Sequence, residues 1–437
     1  MTMSAVLDFP VKPEARPYLD AFDKIASEPE WLTRERQRAL TRFAELGFPT
    51  RKSESWRYLD LQPLQQKPLL PAEPNAGAQD STRAQLAALQ LPGSGPRLVL
   101  VDGRFSPELS RLGDLPNGVW FSSTQNAIAE RGGLFRELTD DAAHPFAALN
   151  TAFFSDGFVL DIGAGVTLAQ PLEIVHLASG HDASYHTRSL IHAGERSRAT
   201  VLETYAGEGH YWRNDVVAVR LDTGAELTRA VLVEEAAQAL HLAELDAKLG
   251  ADARFSGLAL LLGGATLRHE ANINIAGEGA QCRLDGAFVV DRAEEVNIVT
   301  NVDHRVPHGE TRELFKGVAA DRAHGAFQGK IIVREHAQKV DAHQLSRNLI
   351  LGGRAVIDTK PELEIYADDV KCSHGASVGE LDETALFYLR SRGIPDAEAR
   401  HMLVEGFLRD PVEEIADPRV RDYLLRRLTR RLEGLEA

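Results

Sequence analysis

A cysteine and a histidine stand two residues apart near the end of the chain, as Cys372 and His374. Alternate side chains of an extended strand project from one face, so the thiol and the imidazole are expected to lie side by side. Such a pair is either a nucleophile with its base or two ligands for a soft or borderline metal ion. Lys371 would lower the pKa of the thiol, whereas Asp368 and Asp369 would raise it. The plainer alternative is a cysteine that packs as a small hydrophobe.

The composition of the chain indicates its cellular compartment and the classes of partner it can bind. The 437 residues carry 49 basic and 64 acidic side chains, a formal net charge of −15, which argues against a nucleic-acid-binding surface. Two cysteines in so long a chain predict a reducing compartment, and the first ten residues lack the pattern of a signal peptide. The longest apolar run, residues 258–262, is far too short to span a bilayer. We therefore expect a cytoplasmic protein that binds neither nucleic acid nor membrane.

The elements that must position the pair are predicted to be strands. Between residues 157 and 369, short runs of alternating apolar and polar residues are separated by glycine-centred turns. The turns share a Gly-Ala signature and recur irregularly at roughly 30 residues. A sandwich or barrel would require closer and more regular hairpin signals, so the pattern favours a β-solenoid. The predicted turns are Gly163-Ala164, Gly224-Ala225, Gly250-Ala251, Gly279-Ala280 and Gly325-Ala326.

Helical patterns flank the strands, giving three regions: a helical region with a linker at 1–150, a β core at 151–380 and a helical domain at 381–437. Asp382 is expected to cap the first C-terminal helix, and Pro395 to begin the second. Two roles are compatible with these helices, and one does not exclude the other: a cap over the open end of the solenoid and a docking surface for a partner. One helix face carries Ala399, Met402, Leu403, Gly406 and Phe407, and the last helix carries a stripe of Val420, Tyr423, Leu424, Leu428 and Leu432.

Several segments together resemble the SufB/SufD family of iron–sulfur cluster assembly scaffold proteins. The resemblance spans essentially the whole chain, and the run around Cys372 and His374 is its most specific part. It implies a mainly β fold, with a right-handed parallel β-helix core between N-terminal and C-terminal α-helical domains. The segments that carry it are residues 49–58, 315–318, 327–333, 337–339 and 358–379.

The resemblance also implies partners. A SufB-like scaffold would pair through the ends of the β-helix, with Cys372 and His374 at the cluster-assembly interface, where they would be the metal-binding residues. A SufC-like ATPase would bind the C-terminal helices, for which Met402, Leu403 and Phe407 are the candidate docking residues. A homodimer of the chain alone is possible when these partners are absent, and the sequence does not decide whether it forms. The chain itself would be a non-catalytic scaffold subunit.

The cysteine count indicates which branch of the family the chain represents. A conventional cluster takes about four cysteine ligands, with histidine as an occasional substitute. This chain offers Cys372 and His374 together, whereas Cys282 lies in an alternating strand pattern typical of packing. We therefore expect no cofactor bound stably by this chain alone, but a transient iron–sulfur cluster or iron shared with the SufB-like partner. This favours the accessory branch over a SufB-type scaffold.

Two other classes remain as alternatives. A β-helix carbohydrate-active enzyme would need paired carboxylates across a groove or a calcium site, together with a secretion signal. A Cys-His hydrolase would use Cys372 as its nucleophile and would need a third group to orient His374. Neither set of accompanying residues is evident in the sequence.

Overall fold

Two long β-sheets, formed by alternate strands of one winding chain, make up the centre of the molecule. The computed structural model describes residues 11–22, 29–72, 79–93, 95–139, 144–180 and 182–435, so the first ten residues examined for a signal pattern lie outside it. Sheet A comprises β3 (Val119–Ser123), β4 (Phe158–Ile162), β6 (Ala183–Ala193), β8 (Tyr211–Leu221), β10 (Leu240–Leu249), β12 (Thr266–Ile275), β14 (Glu295–His304), β16 (His324–Val333) and β18 (Val356–Ile365). Sheet B comprises β1 (Arg97–Val101), β2 (Arg104–Phe105), β5 (Leu172–Ala178), β7 (Arg198–Gly207), β9 (Glu226–Glu234), β11 (Arg254–Gly263), β13 (Gln281–Val290), β15 (Glu310–Ala320), β17 (Asp341–Leu351) and β19 (Lys371–Gly379).

The winding is a parallel β-helix of about eight turns, which confirms the predicted solenoid. From β4 onward, each strand pairs in parallel with the strand one coil later, as Leu240 of β10 pairs with Thr266 of β12. Side chains alternate between the lumen and the outside, so Leu245, Ala247 and Leu249 of β10 join one apolar core that runs through the coils. Three further strands extend the sheets at one end: β1 and β2 belong to sheet B, and β3 belongs to sheet A. They lie in a region for which the sequence predicted helices and a linker.

Stacked turns connect the two sheets. The backbone N–H of Arg196 donates to the carbonyl of Thr223, and that of Gly224 donates to Ala251, so each turn is bonded to the next coil. Arg196 and Gly224 both have a positive φ, the left-handed conformation that glycine adopts most readily. Four of the five predicted Gly-Ala turns lie between strands, but Gly325-Ala326 was predicted wrongly because it lies inside β16. A Cβ on Gly325 would come within 2.8 Å of the Phe288 ring, so this glycine serves packing rather than a turn.

The two ends of the β-helix differ. At the first end, β1 pairs antiparallel with β2, and β3 pairs antiparallel with β4, so short strands close each sheet. At the last end, β18 and β19 are the final strands of their sheets, and within the described part of the chain nothing pairs with their outer edges. Val356, Ile365, Tyr366 and Val378 are exposed there. The last coil is therefore an open end.

Most of the N-terminal helices cover the outer face of sheet A, whereas α4 packs on β5 of sheet B. Tyr18 and Phe43 pack edge to face with ring centroids 5.6 Å apart, and Phe146 lies 5.2 Å from Trp212 of β8. Buried Arg36 donates to the carbonyls of Ala152 and Phe154 at the end of α6. The helices before the core are α1 (Arg16–Phe22), α2 (Glu30–Leu46), α3 (Gln62–Gln66), α4 (Gln79–Ala88), α5 (Thr124–Thr139) and α6 (Pro145–Phe153).

Three C-terminal helices follow the β-helix, and the last two lie along the outer face of sheet B. They are α7 (Glu383–Ser391), α8 (Asp396–Glu413) and α9 (Pro418–Glu433), and the carboxylate of Asp382 caps α7 as predicted. The buried residues of α8 and α9 pack on outward-facing side chains of β7 to β15, so these two helices do not cap the open end. The solenoid offers a large apolar flank there, and the helix stripe covers it. The predicted stripe of α9 is buried in full: Val420, Tyr423, Leu424, Leu428 and Leu432.

Candidate functional site

Cys372 and His374 lie on β19, the edge strand of sheet B at the open end. Their Cα partners on β17 are Ala342 and Gln344, both buried residues. Because paired residues of parallel strands share a face, both side chains belong to columns that line the lumen. Cys372 is half-buried and packs against the core, whereas His374 is exposed. The structure thus gives the pair one common face, with the thiol directed inward and the imidazole at the rim.

The thiol of Cys372 has its pKa raised above the usual value. Burial is the main cause, because it disfavours the thiolate, and the carboxylate of Asp341 adds to the effect. The backbone N–H of Ala342 opposes the shift by hydrogen-bonding to the sulfur. The nearby charges weighed in the sequence therefore matter less than burial. In the isolated chain Cys372 is held as a neutral thiol.

A polar column continues from the pair into the lumen. Glu313 of β15, Gln344 of β17 and His374 of β19 are successive partners in the strand register. The Gln344 Nε2 donates to Glu313 Oε2 at 2.6 Å, and the Thr300 hydroxyl donates to the same oxygen at 3.0 Å. Burial raises the pKa of the Glu313 carboxyl to about 7. No periodicity of the sequence identifies Glu313 and Gln344 as neighbours of His374, because their proximity follows from the register alone.

The second cysteine occupies the same column as the first but lies deeper. Cys282 pairs with Thr311, Thr311 pairs with Ala342, and Ala342 pairs with Cys372. Three strand spacings separate the two sulfurs by about 14 Å, too far for a shared metal ion or a disulfide. Cys282 is buried and both thiols are free, in agreement with its predicted packing role. Among the described residues, no group of three or more histidine, cysteine or acidic side chains is placed to hold a metal ion.

The three candidate docking residues on α8 differ in exposure. Met402 is 46% exposed, whereas Leu403 and Phe407 are half-buried against the apolar flank of sheet B. The ammonium of Lys316 lies 4.6 Å above the Phe407 ring and donates to the Phe407 carbonyl, so Phe407 also anchors α8. Two aromatic side chains that the sequence analysis did not single out, Phe387 and Tyr388 of α7, are more exposed than Met402. The available signal was the run of four large apolar residues at positions 386–389 of this short capped helix, since they cannot all face inward.

Models of one protein family cover almost the entire chain. Residues 18–174 match the SufBD protein N-terminal region, and residues 176–407 match the core domain described as SUF system FeS cluster assembly, SufBD core domain.

The chain belongs to the SufBD family.

Individual SufBD relatives refine this assignment. The iron-sulfur cluster assembly protein SufD of Escherichia coli is 32% identical over 404 residues, which is 91% of this chain and 92% of the relative. SufD of Bacillus subtilis is 28% identical over 95% of this chain and 97% of its own length. A SufBD family protein of Synechocystis is 30% identical over 89% of this chain and 88% of its own length. The chain is a SufD-like subunit of SUF iron–sulfur cluster assembly, as predicted.

The segments that carry the SufBD resemblance have identifiable structural tasks. The carbonyl of Ser55 accepts hydrogen bonds from Arg268 and Gln328, which fastens the N-terminal segment to the outer face of sheet A. The guanidinium of Arg268 also lies 3.9 Å above the Trp56 ring. Within 327–333, Gly329 leaves room for Gln344, whose Nε2 would be 2.2 Å from a Cβ there. These motif residues hold the last coils together.

The helices were compared with the length and apolar character that a membrane-spanning helix requires. Across those ranges, no helix combines the length and apolar character needed to cross a bilayer.

Proposed function

We propose that this SufD-like chain is a non-catalytic, cytoplasmic subunit that completes an iron–sulfur assembly site together with a SufB-like scaffold and a SufC-like ATPase. The observation that carries the proposal is the placement of Cys372 and His374 at an uncovered end of the β-helix. A thiolate and an imidazole are suitable ligands for iron or for a nascent cluster. Two ligands make only part of a site, so a partner must supply the others.

The open end has the properties of a surface that pairs with another chain. Edge strands offer unpaired backbone N–H and C=O groups and readily accept a further strand. Ile365, Tyr366 and Val378 add exposed apolar side chains around these edges. A SufB-like scaffold with a similar last coil would continue both sheets and bring its own ligands to Cys372 and His374. Without that scaffold, a second copy of this chain would occupy the same edges as a homodimer.

The C-terminal helices are placed to receive the ATPase and to transmit its movement. Phe387, Tyr388 and Met402 expose apolar surface on α7 and α8. On the inner side, Lys316 of β15 bonds to the Phe407 carbonyl and to the Asp410 carboxylate. Displacement of α8 by a SufC-like ATPase would therefore act on β15, whose inward residue Glu313 lies in the polar column below His374. No cofactor would remain bound to this chain alone, because the transient cluster or iron is cargo shared with the partner.

Substitution of the paired ligands in the reconstituted complex tests this proposal. Cys372→Ser and His374→Ala should each reduce cluster formation by the complex of this chain with SufB-like and SufC-like partners, because each removes a ligand. The buried thiol provides the matched control, since Cys282→Ala also removes a sulfur but at a position about 14 Å inside the lumen. Cluster formation is followed by visible absorption during reconstitution with iron and sulfide.

The rates of cluster formation in the Cys372 and Cys282 variant complexes decide whether the proposal holds. If Cys372→Ser and His374→Ala complexes assemble clusters at the rate of the Cys282→Ala complex, the shared-site proposal is wrong. Co-purification of all three proteins checks that each variant still forms the complex.

A further inference from the structure

The buried carboxamide of Gln344 lies directly beneath His374. The two residues are Cα partners on β17 and β19, and both side chains belong to the lumen-facing column that begins at Glu313. Gln344 is 2% exposed, whereas the strand that carries His374 is at the surface. Gln344 is therefore the last fully buried polar residue of this column before the open end.

The orientation of the Gln344 carboxamide is fixed by its surroundings. Its Nε2 donates to Glu313 Oε2 at 2.6 Å, which directs the amide nitrogen toward the interior of the β-helix. The absence of a side chain at Gly329 makes this arrangement possible, because a Cβ there would lie 2.6 Å from the Gln344 Cδ. With the nitrogen engaged at Glu313, the Oε1 remains as the free end of the amide.

That oxygen is buried and unpaired. Within the described part of the chain, Gln344 Oε1 has no hydrogen-bond partner and is inaccessible to solvent. Buried carbonyl oxygens in folded proteins are nearly always hydrogen-bonded, so an orphan such as this requires an explanation. The next residue of the column, His374, carries a ring N–H that can donate to it.

We propose that Gln344 is the positioning residue for His374, accepting a hydrogen bond from one ring N–H when a partner covers the open end. This inference rests on the proposed function, in which His374 is a ligand. Histidines that bind metals commonly donate their second ring N–H to a carbonyl or carboxylate, which fixes the tautomer and the orientation of the ring. The bond to Gln344 leaves the lone pair of the other ring nitrogen directed outward, toward iron or a cluster shared with the partner.

The test uses the full complex with SufB-like and SufC-like partners and two measurements. Selective ¹⁵N-histidine labelling reports the tautomer of His374, whose signal is the one lost in His374→Ala. Titration with Co²⁺ alone reports metal affinity through thiolate-to-cobalt absorption. We expect Gln344→Met, which keeps the side-chain length without an acceptor, to show mixed tautomers and roughly 10- to 100-fold weaker Co²⁺ binding.

Matched variants separate positioning from packing. Gln344→Glu keeps an acceptor oxygen for the ring N–H and should retain one tautomer. Ser346→Ala alters another buried lumen residue of β17, two positions along the strand, and should leave both measurements unchanged.

Two results would overturn the inference. If Gln344→Met keeps a single tautomer, Gln344 does not orient the ring, whatever happens to the affinity. If His374→Ala and Cys372→Ser bind Co²⁺ as the wild type does, the proposed shared site itself is wrong and the inference fails with it. Loss of Co²⁺ binding in those two variants, beside an unaltered Gln344→Met, would overturn only the role of Gln344.

Discussion

The residues that line the lumen at the open end differ in how far the sequence alone could predict them. The sequence alone predicted that Cys372 and His374 share a strand face, because their spacing and residue types are informative without a fold. Glu313 and Gln344 were not predicted to lie near His374. The strand register brings these three residues together, and the sequence between them gives no sign of that register. A residue pair two positions apart can be predicted locally, whereas a column across three coils depends on tertiary structure.

Glu313 gives the residue-scale prediction, which concerns pH. Burial raises its pKa to about 7 from an ordinary value of 4.5, so the folded state binds its proton more tightly than the unfolded state. Its contribution to stability is therefore fully present below about pH 4.5 and is lost as the pH rises toward 7. Glu313→Gln removes this loss and keeps an oxygen that can accept from Thr300 and Gln344.

Urea unfolding of the wild type and Glu313→Gln at several pH values measures the difference. The variant should gain stability relative to the wild type between pH 4.5 and 8, by about 3 kcal/mol at most. Other buried carboxyl groups titrate in both proteins, so their effects cancel in the comparison. A stability difference that stays constant over this range would show that Glu313 does not carry a raised pKa.

At the scale of elements, the C-terminal helices combine a buried face with an exposed one. The sequence predicted the buried stripe of α9 correctly, since its apolar spacing is regular. It did not decide between an end cap and a docking surface, because periodicity shows that a face is covered but not what covers it. The structure places that face on the flank of sheet B, so deleting residues 381–437 would expose a large apolar surface and would confuse loss of docking with misfolding.

Point substitutions on the exposed face therefore provide the sharper element-scale prediction. Phe387→Ala and Met402→Ala should weaken binding of the SufC-like ATPase, because both side chains are exposed on the helices proposed to contact it. Val356→Ala at the open end is the matched control, since Val356 is also an exposed apolar residue. Binding is measured by isothermal titration calorimetry, with far-ultraviolet circular dichroism to verify the fold. Equal affinities for the α7–α8 variants and the control would refute the docking site.

The whole molecule is an asymmetric rod, closed by antiparallel strands at its first end and open at its last. This asymmetry explains why association is expected at one end only. Natural proteins protect exposed sheet edges, so an open edge with apolar side chains indicates an interface.

The whole-molecule prediction tests that interface. Ile365→Lys places a charge beside the last edge of sheet A and should reduce both homodimer formation and pairing with the SufB-like scaffold. Leu70→Lys is the control, because Leu70 is 40% exposed and Ile365 is 41% exposed, but Leu70 lies beside β6, far from the open end. Sedimentation velocity gives the oligomeric state of each protein. Unchanged association of Ile365→Lys would exclude the open end as the pairing surface.

The sequence by itself determined the solenoid, the flanking helices and the Cys372–His374 pair, because alternation, capping residues and two-residue spacing are local properties. It also limited any cluster site to a shared one, since only two cysteines are present. Tertiary structure alone decided that α8 and α9 lie along sheet B, that Gly325 belongs to a strand, and that Glu313 and Gln344 lie beneath His374. These features depend on which residues meet after a full coil, and that register is set by the packing of the whole lumen rather than by any segment of the chain.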